Sequence, residues 1–345
     1  MPSVNNSRSR ENLSIWLPNA KKTHDAGRSL AATLYAKPVT ILLNGPLGAG
    51  KTTFLQGFAA GLGIDEPVTS PTFALEQRYR ASTGQELLHL DLYRLSPEDA
   101  RQMMHSSENH TGIRCIEWAE RAPMLSFDEP VVRINLEEKN DGRQLRISFE
   151  DVAICTNEDV AAWQKETALQ PHIVAHCHAV AQMACDLAKH MLEDGSIVRP
   201  LLLQQSAELH DVLRFLDFRP GAAPPYVVAS MHEQSVWQQW KNKFPAMRHE
   251  EACSAFLREL GYHAMAEIIR THGWHLAPRE RKTTEQKLLF YADKRVAFDQ
   301  RVTLKDRFAD FAKRYAETTD SEMRARWYEE TVTVERELFP SGVPF

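Results

Sequence analysis

The sequence predicts two domains, an α/β domain with a mixed sheet followed by an all-helical domain. Three observations support this prediction. The chain has 345 residues, more than one average domain. Strand and helix patterns alternate up to about residue 152, and beyond it only helical patterns remain. Ten of the 14 histidines lie after residue 155, which indicates metal or proton chemistry in the second part.

Composition excludes several classes of protein. The formal net charge is −5 and is spread evenly, so neither part has the composition of a basic nucleic-acid binder. No apolar run approaches the roughly 20 residues of a membrane helix, and the N-terminus does not resemble a signal peptide. The five cysteines form no C-x-x-C pair, which favours a reducing compartment without disulfides or a zinc ribbon. We therefore expect a cytoplasmic protein with no membrane partner.

The first part shows the alternation expected of an α/β fold. Thr23 is predicted to cap a helix that ends near residue 36, and a second helix follows a glycine loop and ends near Gly61. N-D-G at 140–142 is a strong hairpin signal. The predicted strands are 13–17, 38–43, 73–79, 86–93, 113–118, 131–138 and 143–150.

The second part is organised as a linker at 153–170, a helical domain at 171–300 and a helical extension at 301–345 that packs on it. Proline-rich residues 217–245 are predicted to form an irregular insertion. The predicted helices are approximately 171–193, 199–214, 246–260, 262–272, 284–299 and 305–337.

G-P-L-G-A-G-K-T at residues 45–52 matches the phosphate-binding loop pattern, and it lies between a predicted strand and a predicted helix. Gly45, Gly48 and Gly50 allow backbone N–H groups to surround phosphates at the helix N-terminus. Lys51 is expected to contact the β and γ phosphates, and Thr52 to bind Mg²⁺. The pattern predicts a nucleotide site.

Two acids are candidates to complete this site. Glu117 ends a predicted strand and could join the Mg²⁺ shell, or it could be a solvated residue at a strand edge. Asp91 could orient water or metal, or be an exposed strand acid. V-T-S-P-T-F at 68–73 offers hydroxyls that could sense the γ-phosphate, or it is a plain loop.

Residues 12–152 resemble the TsaE family. The resemblance is carried by four motifs in this order and spacing: G-P-L-G-A-G-K-T-T, V-T-S-P-T-F, H-L-D-L-Y-R-L and C-I-E-W-A-E-R. The resemblance implies an ATPase that uses ATP and Mg²⁺ and assists TsaB–TsaD-type proteins in making threonylcarbamoyladenosine at position 37 of tRNA, so that tRNA is an indirect partner. It implies the working residues Lys51, Thr52, Thr53, Asp91 and Glu117. One departure is the short, histidine-bearing segment at 96–112, where the family usually has a glycine-containing helix.

A second set of polar residues lies on apolar helix faces. His176 shares a face with Val180 and Met183, and His249 shares one with Cys253 and Phe256. His272, the pair His210–Asp211 and Asp293 also fall on or beside such faces. One buried histidine is usually a satisfied core residue, but an unpaired buried Asp is costly. Several such residues on successive helices favour a shared metal ion.

This pattern resembles the HD superfamily of metal-dependent phosphohydrolases over residues 171–300. The resemblance implies His176, His210, Asp211 and Asp293 on a first metal and His249 and His272 on a second, with Asp211 central to catalysis. Iron, manganese or another divalent ion would fit, and the substrate would be a nucleotide or other phosphate ester. Arg214 stands where many members have Lys. Lys294 and Arg295 could hold further phosphates or form a solvated helix edge.

The leading hypothesis is a bifunctional fusion of the two activities. One alternative is a nucleotide phosphatase in which the phosphate-loop part senses ATP. Another is an ATP-switched binding module whose metal site is only structural. Loss of phosphatase activity in Asp211→Ala, with activity retained in Lys51→Ala, would separate an independent enzyme from the binding module.

Overall fold

The computed structural model describes residues 9–71, 74–122, 129–218, 229–314 and 320–345. The chain forms two compact units. The α/β unit extends to Val152 and also includes Met191–Val198, and the helical unit comprises Ala153–His190 and Arg199–Phe345. No described helix is both long and apolar enough to cross a membrane.

A mixed seven-stranded sheet is the centre of the α/β unit, with the order β1-β7-β6-β2-β5-β4-β3. The central strand β2 pairs in parallel with β5 and β6, and its continuous apolar sequence is typical of a strand buried on both faces. The pairs β1–β7, β6–β7 and β3–β4 are antiparallel, so the predicted mixed sheet is confirmed. The strands are β1 Glu11–Leu17, β2 Val39–Asn44, β3 Glu76–Arg80, β4 Glu86–Asp91, β5 Ile113–Glu117, β6 Val131–Lys139 and β7 Gly142–Glu150.

Helices α1 (Ala20–Ala31) and α2 (Lys51–Gly61) pack unusually closely. A Cβ added to Gly57 would lie 1.8 Å from the backbone oxygen of His24, and one added to Gly27 would lie 1.9 Å from that of Phe54. Only glycine allows this approach. Because α2 begins at the phosphate loop, the contact also fixes the position of that loop.

The segment Met191–Val198 belongs to the α/β unit although it follows 38 residues of the helical unit, Ala153–His190. Ile197 is fully buried in the main core of the α/β unit, and its backbone N–H donates to Ser29 Oγ at 2.7 Å. Lys22 donates to the Asp194 carboxylate at 2.8 Å. The segment therefore completes the surface of α1.

The helical unit contains nine α-helices among its described residues. They are α4 Asn157–Glu166, α5 Pro171–Glu193, α6 Pro200–Leu209, α7 Met231–Lys243, α8 His249–Glu259, α9 His263–Arg270, α10 Thr284–Lys294, α11 Leu304–Arg314 and α12 Ser321–Leu338. The last three residues of α5 fall within Met191–Val198. In the α/β unit, a third helix, α3 Pro97–Ser106, follows α1 and α2 and lies in the segment that departs from the TsaE pattern.

Several predicted boundaries were wrong. Asn19 rather than Thr23 caps α1. The segment 153–170, predicted as a linker, contains α4, and Val160 and Trp163 of this helix are buried. The predicted irregular insertion 217–245 contains α7, although residues 219–228 lie outside the described part. Both helices begin with a capping box that holds the first turn, Thr156 with Asp159 and Ser230 with Glu233.

Candidate functional sites

The phosphate loop joins β2 to α2 and depends on three glycines with positive φ. Gly45, Gly48 and Gly50 have φ values of 138°, 80° and 100°, a region that side chains rarely adopt. A Cβ on Gly45 would also lie 2.2 Å from the Leu136 carbonyl oxygen. The loop therefore has the backbone form that the motif predicts, with its N–H groups at the start of α2.

Lys51 is the first residue of α2 and is 5% exposed. Its ammonium group donates to the carbonyl oxygens of Gly45 at 2.7 Å and Pro46 at 3.0 Å, and it lies 3.9 Å from the ring centroid of Trp118. Burial lowers the pKa of Lys51, while the carboxylates of Glu117 and other acids act in the opposite direction. The cation is therefore held at the loop, where a phosphate would lie.

Two carboxylates lie at the same edge of the sheet as the loop, because β2, β4 and β5 are parallel and Glu117 aligns with both Leu43 and Asp91. Glu117 is 3% exposed, and its Oε1 lies 3.5 Å from Thr52 Oγ1. Asp91 is 2% exposed and accepts from Ser70 Oγ at 2.9 Å. Neither acid is a solvated strand residue. Thr53 is partly buried in the first turn of α2.

Two neighbours of these residues, His89 and Trp118, were given no role from the sequence. His89 is fully buried on β4, and its Nε2 lies 3.0 Å from Glu117 Oε1. Trp118, directly after β5, has a φ of 60° and packs its ring 4.8 Å from that of Tyr93. The alternation of polar and apolar residues in H-L-D-L-Y predicts that His89 lies on the same strand face as Asp91, and this pattern could have indicated its place in the site. Thr72 and Phe73 of the V-T-S-P-T-F motif lie outside the described residues.

A family model described as "Threonylcarbamoyl adenosine biosynthesis protein TsaE" matches residues 17–145, within the α/β unit. A protein of that description from Nostoc is 45% identical over 114 residues, which are 32% of this chain and 69% of the relative. Another from Treponema pallidum is 36% identical over 133 residues, 36% of this chain and 93% of the relative. The chain belongs to the TsaE family.

One more relative and one solved structure are also similar to this chain. A TsaE protein from Haemophilus influenzae is 31% identical over 143 residues, 40% of this chain and 89% of the relative. The crystal structure of YdiB from Bacillus subtilis is 29% identical, covers 42% of this chain and 89% of its own, and has a TM-score of 0.33. The TsaE match ends at residue 145 and does not extend into the helical unit.

The helical unit brings all six residues of the predicted metal set together. We call this set the histidine centre and define two sites in it. Site 1 comprises His176 Nε2, His210 Nε2 and Asp293 Oδ1, and Asp211 Oδ2 lies 3.8 Å from His210 Nε2. Site 2 comprises Asp211 Oδ1, His249 Nε2 and His272 Nε2. Asp211 therefore lies between the two sites, with Oδ2 near His210 and Oδ1 near His249 and His272.

The spacing within each site suits a shared cation. In site 1, Asp293 Oδ1 lies 3.1 Å from His176 Nε2 and 3.9 Å from His210 Nε2. In site 2, His249 Nε2 lies 3.0 Å from Asp211 Oδ1 and 3.2 Å from His272 Nε2. Ligands about 2.0–2.2 Å from one ion lie about 3–4 Å from one another. Both sites therefore fit the expected donor spacing.

The four imidazoles share one orientation. In each ring, Nδ1 faces an acceptor outside the centre, and Nε2 faces into it. The Nδ1 partners are Phe298 O for His176 at 2.6 Å, Ala207 O for His210 at 2.7 Å, Asp217 Oδ2 for His249 at 2.5 Å and Ile269 O for His272 at 2.7 Å. Such outer contacts fix the tautomer and orientation of metal-binding histidines. His210 Nε2 is buried and has no hydrogen-bond partner among the described residues, as a metal ligand would.

Electrostatics keep three of these groups, His210, Asp211 and Asp293, in the protonation states that a cation needs. Burial lowers the pKa of His210 to about 4, so its imidazole is neutral near pH 7. Burial would raise the pKa of Asp211, but the positive charge of Arg214 outweighs it and holds this pKa well below its usual range. The pKa of Asp293 is lowered in the same way, with Lys294 as the main opposing charge. Both carboxylates are therefore ionised.

The surroundings of the centre include residues that the sequence did not single out. Asp217 accepts from the backbone N–H of His249 at 3.2 Å as well as from its ring. Glu250 is 2% exposed and falls within reach of His249 and His272. In the sequence R-H-E-E, Glu250 directly follows His249, and this adjacency could have indicated that it lies near the centre.

Lys294 and Arg295 are not placed to hold phosphate. Lys294 is 2% exposed and donates to Asp293 Oδ2 at 2.7 Å and to His272 O at 2.6 Å. Arg295 donates to Val302 O at 2.8 Å and to the Tyr291 hydroxyl at 2.6 Å. Lys294 is therefore part of the packed interior, whereas Arg295 is half-buried and held by protein partners.

Proposed function

We propose that the α/β unit binds and hydrolyses ATP with Mg²⁺ as an accessory factor in the synthesis of tRNA threonylcarbamoyladenosine, acting in the cytoplasm with TsaB–TsaD-type proteins. Membership of the TsaE family supports the pathway. The observation that carries the ATP site is the meeting of the phosphate loop, Asp91 and Glu117 at one sheet edge. In the proposal, the loop N–H groups and Lys51 hold the phosphates.

The remaining residues have separate roles in this proposal. Thr52 and Glu117, 3.5 Å apart, would hold Mg²⁺, whose charge stabilises the phosphates. Asp91, bonded to Ser70, would connect the 68–71 loop to the site and orient water. Thr53 would support the loop from the first turn of α2. When a nucleotide binds, the Lys51 ammonium group must replace its hydrogen bonds to the Gly45 and Pro46 carbonyl oxygens with hydrogen bonds to phosphate oxygens.

Complementation tests this role. The full chain should rescue a bacterium that lacks TsaE, and Lys51→Ala should not, because this change removes the phosphate-binding cation. Asp211→Ala is the matched control, since Asp211 belongs to the histidine centre. Rescue by Lys51→Ala as efficient as by the wild type would refute the proposed use of ATP.

We further propose that the helical unit is a metal-dependent phosphohydrolase of the HD type that acts on a nucleotide or other phosphate ester. The orientation of four Nε2 atoms and two carboxylates toward common points supports it. One or two divalent ions, such as iron or manganese, would supply the Lewis acidity for hydrolysis. Around them, Asp217 and Lys294 hold His249 and Asp293 in place. Arg214, whose side chain is 35% exposed, can reach a phosphate from the edge of the centre.

The experiment combines elemental analysis of the purified chain with a panel of nucleotides and phosphate esters, assayed with and without Mn²⁺. Asp211→Ala should abolish hydrolysis, and Lys51→Ala should leave it intact. Activity that responds to ATP in the wild type but not in Lys51→Ala would favour an ATP-sensing regulator. Bound metal without any hydrolysis would favour a structural metal, and absence of metal would refute the proposal.

A further inference from the structure

Arg214 lies inside the group of side chains that forms site 2. It begins the 3₁₀ turn Arg214–Asp217 that follows His210 and Asp211. Its Nη1 is 2.9 Å from Nε2 and 3.2 Å from Nδ1 of His249, and 3.8 Å from Asp211 Oδ1. It is also 3.9 Å from Asp217 Oδ2. A permanent positive charge therefore contacts two of the three residues of site 2.

A guanidinium and a divalent cation compete for this position. Both satisfy the charge of Asp211, and both use the electron-rich ring of His249. Two positive charges a few ångströms apart also repel strongly at a buried site. An arginine does not lose its proton in a protein, so the repulsion cannot be relieved by deprotonation. It is relieved only when the side chain moves away.

We propose that Arg214 acts as the resident cation of site 2, so that site 1 binds a divalent ion first and site 2 binds one only when Arg214 withdraws. The partial exposure of the side chain allows this movement. An anionic phosphate ester is the partner that would draw a guanidinium out, through paired hydrogen bonds. The second metal would then bind preferentially together with substrate. This inference rests on the proposed metal centre.

Titration of the metal-free, nucleotide-free full chain with Mn²⁺, followed by the electron paramagnetic resonance signal of free Mn²⁺, tests the order of binding. The wild type should show two affinities that differ at least tenfold. Arg214→Met removes the charge but keeps most of the length, and should bring the two affinities within about threefold. Arg214→Lys keeps the charge and should preserve the difference. Arg301→Met is the control, because Arg301 pairs with Asp186 on the surface of the same unit.

The outcomes separate the inference from the proposed function. Equal binding of two ions by the wild type, or an unchanged difference in Arg214→Met, overturns the role of Arg214 and leaves the metal centre standing. Failure of the wild type to bind Mn²⁺, iron or zinc overturns the centre itself and the inference with it. Arg214→Gln, with circular dichroism as a check on folding, replaces Arg214→Met if that variant does not fold.

Discussion

Gly57→Ala should destabilise the α/β unit although alanine is the better helix former. The new Cβ would lie 1.8 Å from the His24 carbonyl oxygen, and real Cβ contacts start at about 3.0 Å, so α1 must retreat by at least about 1.2 Å. Overpacking of this kind costs about 1–3 kcal/mol or more. The higher helix propensity of alanine compared with glycine offsets about 1 kcal/mol of this cost. Because the clash is with backbone, we expect a cost near the upper value of about 3 kcal/mol and a net loss of about 2 kcal/mol.

Hydrogen exchange of the α1 and α2 amides in increasing urea measures this loss within the α/β unit. Ala60→Gly is the control, because Ala60 is exposed on the same helix and its change costs only the propensity of about 1 kcal/mol. Since α2 starts at Lys51, Gly57→Ala should also weaken the binding of Mg²⁺-ATP, and Ala60→Gly should not. A Gly57→Ala chain as stable as the wild type would refute the close packing of α1 on α2.

Three further predictions concern the sites and the thiols. His89→Leu should raise the Mg²⁺ concentration for half-maximal ATP hydrolysis at least about tenfold, because a hydrogen bond to a charged group is worth about 1.5–3 kcal/mol. An unchanged Mg²⁺ dependence would show that His89 does not position Glu117. Asp217→Asn should weaken Mn²⁺ binding at site 2 by about 10–100-fold and leave site 1 nearly unchanged; equal losses at both sites would contradict the assigned contact. Near pH 8, Cys185 alone should react rapidly with an aromatic disulfide reagent. Burial raises the pKa of the other four thiols, to about 12 for Cys155. These four thiols therefore stay protonated and react slowly until the pH approaches their raised pKa values. Two fast-reacting thiols in the native chain would contradict the burial.

The sequence predicted the elements that short-range chemistry determines. The N-D-G hairpin forms as expected, since Lys139 pairs with Gly142 and Asn140 adopts a φ of 52°. The phosphate loop was equally clear because its glycines need positive φ. By contrast, α7 was missed because nearby prolines dominated the interpretation, although S-M-H-E at 230–233 is a capping-box pattern.

The sequence predicted which residues form the histidine centre, but it did not predict the contacts that orient them. Helix periodicity placed each of the six residues on an inward face, and this required no knowledge of neighbouring helices. The backbone oxygens that hold Nδ1 of His176, His210 and His272 carry no sequence signal, since any residue provides one. The same is true of Arg214, whose distance to His249 depends on how α8 packs on the 3₁₀ turn.

The placement of Met191–Val198 has a consequence for biosynthesis. Its Ile197 belongs to the core of the α/β unit, so that core is complete only once the ribosome has made nearly 200 residues, including most of α5. During translation, the last contacts of the nucleotide-binding part therefore form after residues 153–190 of the helical unit have been made. A gene fragment cut at residue 152 would encode every strand of the sheet and still leave an apolar opening beside α1.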